Sequence, residues 1–207
     1  MKKFNERQFG NNTQHHYDFW DKWSVIEKFI PKKGNIILLD FGCGPGIILK
    51  LIYEKNPSGK YIGLDVSSSV LERARKIFPE GNFYEINDGE KLPLEDNSVD
   101  FIFSSEVIEH VYDTENAVSE MCRILKPAGK LLLTTPYHGF IKNLLIIIFS
   151  FNKHFSPTDS HVRFFTKKTL FNLLKKYSFE IEKYGYYGRF WPVPHSIYVL
   201  AYKNNIT

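Results

Sequence analysis

Residues 36–46 constrain the fold more than any other stretch of this chain. They read Ile-Ile-Leu-Leu-Asp-Phe-Gly-Cys-Gly-Pro-Gly, an apolar run that meets an acid and then three alternate glycines. Four apolar residues in succession suit a strand covered on both faces, and such strands belong to parallel sheets. Glycines at this spacing let the backbone turn tightly and approach a small ligand at the mouth of the strand. The pattern over Gly42, Gly44 and Gly46 is G-x-G-x-G, and Ile47 stands where a dinucleotide fingerprint needs its last glycine. No Lys-Ser or Lys-Thr follows, so the turn is not a P-loop. Asp40 would sit awkwardly beside a pyrophosphate and suits a ligand with a cationic end.

Strands and helices alternate along the rest of the chain. Strands are predicted at 36–39, 61–65, 83–86, 99–104, 130–135, 179–185 and 195–202. Helices are predicted at 17–30, 47–54, 67–78, 114–125 and 166–177, with Ser67 or Ser68 and Thr166 as N-caps. This order specifies an α/β fold, a Rossmann-like, mostly parallel seven-stranded sheet with helices on both faces and the last strand antiparallel. Its 207 residues fit one domain, 1–207, elaborated at about 137–165. Ligands of such sheets bind beyond the carboxyl ends of the strands, at the switch point.

Asp65 lies 25 positions after Asp40 and ends the second strand, where a carboxylate can accept both hydroxyls of a ribose. Asp88, in Asn87-Asp88-Gly89 after the third strand, is placed to accept from an adenine amino group. Each has a plainer reading. Asp-Gly is a common turn, and an acid ending a strand often caps the next helix. The joint placement of Asp40, the glycines, Asp65 and Asp88 is harder to attribute to turns alone.

This constellation resembles the class I S-adenosylmethionine-dependent methyltransferases. The likeness continues through Leu92-Pro93-Leu94-Glu95-Asp96-Asn97-Ser98-Val99-Asp100-Phe101-Ile102, then Ser105-Glu106-Val107-Ile108-Glu109-His110-Val111. It closes with Leu125-Lys126-Pro127-Ala128-Gly129-Lys130-Leu131 and Thr134-Thr135-Pro136. It covers residues 20–136 in order, and Ala128 departs from it where relatives often carry glycine. The segment 105–111 is similar to that of the ubiquinone-type small-molecule O-methyltransferases. The resemblance implies S-adenosyl-L-methionine as cofactor. Gly42, Cys43 and Gly44 would face its methionine part and ribose, and Asp40 its amino group. Asp65 would take the ribose hydroxyls, with Val66 against adenine and Asp88 and Gly89 at the adenine edge. Ser104 and Ser105 would line the methionine end.

Methyl transfer from a sulfonium asks the protein to align the nucleophile and exclude water. Glu106, Glu109 and His110 fall at i, i+3 and i+4, so a helical turn after the fourth strand would put them on one face. His110 and Glu106 are candidate catalytic groups, and the three together suit a divalent ion; some ubiquinone-type relatives use magnesium. The plainer reading is that Glu106 and His110 tie this turn to its neighbours. The connection 137–165 would overhang the acceptor and gathers Tyr137, His138, His154, His161 and Arg163, with His161 a third catalytic candidate and Arg163 a partner for an anionic acceptor. For any one of these histidines packing is the commoner role. Tyr184, Tyr186, Tyr187, Phe190 and Trp191 are candidates to line the acceptor pocket, though aromatic residues on late strands are more often core.

The expected activity is methyl transfer to a small-molecule acceptor at oxygen. Alternatives are a nitrogen target, an RNA or protein substrate, or a non-catalytic cofactor-binding partner subunit. The net charge of +4 is spread along the chain, and the lysines of 166–177 read as a solvated face, so no nucleic acid is expected. Two cysteines, Cys43 and Cys122, without metal-ligand spacing suit a reducing compartment, and a cytoplasmic protein is expected. The longest apolar run, 144–149, is far short of the roughly 20 residues a membrane span needs. Residues 140–151 would form a lid or make weak peripheral contact with a bilayer.

Overall fold

A computed structural model describes residues 23–155, 161–190 and 192–204. Seven strands form one sheet: β1 (Ile37–Phe41), β2 (Lys60–Asp65), β3 (Asn82–Glu85), β4 (Val99–Ser105), β5 (Leu125–Pro136), β6 (Phe179–Tyr187) and β7 (Ser196–Lys203). Their order is β3-β2-β1-β4-β5-β7-β6. β1 pairs in parallel with β2 and with β4, so the strand order reverses between β1 and β4. β7 runs antiparallel to both β5 and β6, as expected of the last strand. The helices are α1 (Ile47–Lys55), α2 (Ser68–Ile77), α3 (Thr114–Ile124), α4 (Phe140–Phe149), α5 (Phe151–His154) and α6 (Lys167–Lys176).

Alternation along the central strands builds two cores. Leu39, Ile102, Leu131 and Leu133 face one side, against Val118 and Met121 of α3 and Leu170 of α6. Leu38, Phe101, Phe103 and Leu132 face the other, against Leu49 and Ile52 of α1 and Leu71 and Ala74 of α2. Each of these side chains is buried, which explains the apolar centres of β1, at Leu38 and Leu39, and of β4, at Phe101, Ile102 and Phe103. Ser67 caps α2 by accepting from Val70 N, Asp113 caps α3 by accepting from Asn116 N, and Thr166 with Thr169 makes a capping box on α6.

Two boundaries differ from expectation. The predicted helix over 17–30 falls partly outside the described residues. Within them it is helical at 23–26 and unwinds before Pro31, whose ring disfavours helical geometry at Ile30. α3 gives way at once to β5, which pairs Leu125 with Val99, bulges through 126–129 and resumes at Lys130 opposite Phe101. The 137–165 connection carries α4 and α5 and closes at its base, where Tyr137 bridges Phe165 and His138 N donates to Phe165 O at 2.9 Å.

Ala128 sits in the bulge with φ 61°, in the left-handed region. A Cβ there costs roughly 1–2 kcal/mol. Ala128→Gly relieves that strain and gives back part of it as unfolded-chain entropy. The net expected gain is about 0.5–1 kcal/mol, read from urea denaturation.

Candidate functional site

The site is built where β1, β2 and β4 end. The turn after β1 holds Gly42, Gly44 and Gly46 at φ of 79°, 52° and 75°. Its amides turn towards β2: Gly42 N and Cys43 N both donate to Leu64 O, at 2.8 and 2.9 Å, and Gly44 N donates to Asp65 Oδ2 at 2.9 Å. Asp65 Oδ1 accepts from Ser67 N at 3.0 Å. Both Asp65 oxygens therefore point into the angle between the glycine turn and the start of α2, where a carboxylate can also accept from a ligand diol. A side chain added at Gly44 would meet nothing within 4 Å, which leaves open space above the turn. One added at Gly42 would strike Val107 Cγ2 at 2.3 Å, so the segment after β4 lies directly on this turn.

The electrostatics favour a cation. Asp40 is 3% exposed, and burial, with the nearby Asp65 charge, pushes its carboxyl up to about 8. The same causes, burial first and then Asp40 and Asp65, push the Cys43 thiol up, so it is no nucleophile. Ser104 Oγ is fully buried at the end of β4 with no hydrogen-bond partner, a polar group awaiting one. Open space over the glycines, two neighbouring acids and this hydroxyl fit the cationic sulfur nucleoside that the sequence suggested. Val66 is half-buried beside Asp65. Gly89 has φ 81° and nothing within 4 Å of an added Cβ. Asp88 is less free than expected, because Tyr112 N and Asp113 N donate to its carboxylate at 2.7 and 3.4 Å.

The acidic segment after β4 does not form the expected helical face. Glu106 has φ 54°, and only Ile108–His110 makes a short 3₁₀ turn. Glu106 Oε1 accepts from Thr134 Oγ1 and Tyr187 OH, both at 2.9 Å, and Oε2 accepts from Ser196 Oγ at 3.2 Å. Ser105 Oγ lies 3.0 Å from Thr134 Oγ1. Glu109 Oε2 instead accepts from Thr135 Oγ1 at 3.0 Å. Successive residues of a strand point to opposite faces, so Thr134 and Thr135 hold the two glutamates on opposite sides of the sheet. The set Glu106, Glu109 and His110 therefore does not converge. His161 joins Glu109 and His110 in its place, with its ring centroid 4.8 Å from that of His110.

Sequence reasoning did not find Ser196, Thr134 or Lys142. Ser196 sits 90 positions from its partner, and nothing local marks it. Lys142 is buried on a mostly apolar helix and donates to His195 O at 3.0 Å; burial first, then Arg189, brings its ammonium down to about 8. Arg163 is spent on the carbonyls of Val162 and Tyr112. His138 is buried and pushed down to about 4, so it is neutral near pH 7. Of the aromatic candidates, Tyr187 reaches Glu106, Tyr184 and Tyr186 pack edge-on to each other, and Trp191 lies outside the described residues. A concavity of about 630 Å³ between α6 and β6 contains none of these candidate residues except Tyr184.

Residues 39–133 match the family described as "Methyltransferase domain". The malonyl-[acyl-carrier protein] O-methyltransferase of Buchnera aphidicola is 31% identical over 175 residues, 77% of this chain and 70% of that protein. The ubiquinone/menaquinone biosynthesis C-methyltransferase UbiE of Desulfotalea psychrophila is 31% identical over 120 residues, 56% of this chain and 48% of its own length. Against three other curated relatives the chain spans 29%, 65% and 36% of their length. An S-adenosylmethionine-dependent methyltransferase from Mesorhizobium loti superposes with TM-score 0.69 at 21% identity, covering 88% of this chain and 98% of its own. The [4+2]-cyclase SpnF superposes with TM-score 0.74 at 17% identity, over 94% and 84%. A cyclase on this fold means that the fold by itself does not fix the reaction.

Asp40 gives a pH test. Folded, its carboxyl stays protonated to about 8, whereas unfolded it ionises near its ordinary value of about 4. Between these values the unfolded chain binds fewer protons, so stability falls as pH rises from about 4 to about 8. Asp40→Asn removes that slope. Its stability relative to wild type should climb across this window and then level, in denaturant melts of the cofactor-free protein; parallel curves would show that Asp40 is ionised when folded.

Proposed function

The chain belongs to the class I S-adenosylmethionine-dependent methyltransferases, and on that premise we propose that it methylates an oxygen of a small-molecule acceptor, with Glu106 as the group that holds and deprotonates it. When bound, S-adenosylmethionine supplies an electrophilic methyl on a cationic sulfur. The residues placed to hold it are Gly42, Cys43 and Gly44 by their backbone, Asp65 at the ribose with Val66 at the adenine face, and Asp40 at the amino group. Asp88, through its remaining acceptor places, and Gly89 border the adenine edge, and Ser104 and Ser105 the methionine end.

The observation that carries the proposal is the position of Glu106. Its left-handed backbone turns the carboxylate into the ends of β5, β6 and β7, while the next residue, Val107, lies on the glycine turn. Three hydroxyl donors occupy three of its roughly four acceptor places and fix its orientation, leaving one place on Oε2 for an acceptor hydroxyl. Positioned proton removal of this kind contributes about 100- to 10,000-fold to rate. His110 and His161 stand with Glu109 on the other side of the sheet, so the base role passes to Glu106.

The connection 137–165 is read as an insertion covering an apolar acceptor. α4 exposes Phe140, Leu144, Ile148 and Phe149, whereas its lysine is turned inward. That face would receive such an acceptor or make the weak peripheral bilayer contact through which one arrives. Among the described residues no helix is long and apolar enough to cross a membrane.

Two variants separate cofactor binding from chemistry. Asp65→Ala should weaken S-adenosylhomocysteine binding by about 1–3 kcal/mol in calorimetry, through loss of the ribose bonds and of the Gly44 anchor. Glu106→Gln should leave that affinity unchanged and lower methyl transfer into a small-molecule extract by at least about 100-fold. Equal turnover would remove Glu106 from the chemistry, and retained affinity in Asp65→Ala would remove Asp65 from the cofactor site.

A further inference from the structure

We propose that Glu109, His110 and His161 bind one divalent transition-metal ion, zinc by the chemistry of the ligands, and that this ion ties segment 161–165 to the turn after β4. The inference does not depend on methyl transfer.

Each of the three residues offers one ligand atom, and these atoms all lie within 4.8 Å of one another. Glu109 Oε1 is 3.8 Å from His110 Nε2. Ligands about 2.0–2.2 Å from zinc stand about 3.3 Å apart around a tetrahedron, so the cluster closes on an ion by modest rotation of its two imidazoles. Both histidines are part-buried, while Glu109 is 1% exposed and its carboxylate is held by Thr135.

The carboxylate is already oriented. Thr135 Oγ1 donates to Glu109 Oε2 at 3.0 Å, which presents Oε1 to the imidazoles. Metal-binding carboxylates carry outer hydrogen bonds of this kind. The backbone is fixed as well: Val162 N and Arg163 N both donate to Glu109 O at 3.0 Å, so His161 enters the cluster next to a double anchor. Two elements 51 positions apart thus deliver ligands to one point.

The donor set selects the metal. Two imidazole nitrogens and one carboxylate oxygen suit zinc and its transition-series neighbours, whereas magnesium and calcium prefer oxygen shells. Three protein ligands leave a fourth position for water or another ligand. Glu106 takes no part, since Thr134 holds it on the opposite side of the sheet. This set differs from Glu106, Glu109 and His110, whose spacing suggested a divalent-ion site and for which the family resemblance raised magnesium.

The test uses the full chain stripped with chelator, titrated with zinc chloride and, separately, magnesium chloride, and followed by calorimetry and thermal melting. One equivalent of zinc should bind and raise the melting temperature, and magnesium should do neither. His161→Ala, at a part-exposed position that should tolerate the change, should weaken zinc binding by more than about tenfold and abolish the thermal shift. Glu109→Gln should act in the same direction, and Glu106→Gln should bind zinc as wild type does. Absence of zinc binding, the same zinc affinity in His161→Ala as in wild type, or magnesium binding that depends on Glu106 would each overturn the proposal.

Discussion

The turn after β1 is held from the neighbouring strand, and the rest of the candidate site is referred to that attachment. Three successive amides, of Gly42, Cys43 and Gly44, are satisfied by the end of β2, two at Leu64 O and one at the Asp65 carboxylate. Each bond is worth only about 1 kcal/mol net, somewhat more at a charged acceptor, so their importance is geometric. They require left-handed backbone at residues 42 and 44, which glycine adopts without penalty. They also turn Asp65 so that one oxygen braces the turn and the other braces Ser67, the cap of α2. The same closeness leaves Gly42 no room for a side chain beneath Val107. The segment after β4 therefore takes its position from the same turn.

Charge at this end of the sheet runs against the charge of the chain. The protein carries +4 overall, yet Asp40, Asp65 and Glu106 gather around the ends of β1, β2 and β4, and the nearest buried lysine, Lys142, is drawn down towards neutrality. Burying Asp40 beside Asp65 costs enough that its carboxyl keeps its proton to about 8. A fold tolerates such a cost where function needs it, and a cationic ligand offsets it by favouring the ionised form.

Much of this could be read from the chain, for reasons that differ by residue. β1 and β4 were legible because burial on both faces demands apolar residues at successive positions of their centres, and the glycine turn because its backbone angles favour glycine. The caps Ser67 and Thr166 were legible because a hydroxyl before an amphipathic run has one local use. The reading of Glu106, Glu109 and His110 as one face failed because it assumed helical spacing from residue 106. The positive φ of Glu106 breaks that spacing and re-aims its side chain, and its partners Tyr187 and Ser196 lie 81 and 90 positions away. Long-range polar contacts leave no local period to detect. Lys142 was hidden for the opposite reason: its surroundings look like an apolar helix, and only the fold shows that the lysine points inward.

The two glutamates after β4 show how one strand can keep two chemistries apart. Thr134 and Thr135 are adjacent on β5, are buried alike and carry the same hydroxyl. The pleat sends one to each face, and each donates to a different glutamate. Glu106 is thereby committed to the hydroxyl cluster of β6 and β7, beside the glycine turn, and Glu109 to the two imidazoles. A register shift of one residue in β5 would exchange the partners and leave both carboxylates facing unsuitable neighbours. Antiparallel pairing of β5 with β7 from Lys130–Tyr202 through Pro136–Ser196 resists that shift, and it also brings Ser196 to Glu106. The reversed last strand, set between β5 and β6, is thus part of the site as well as of its scaffold.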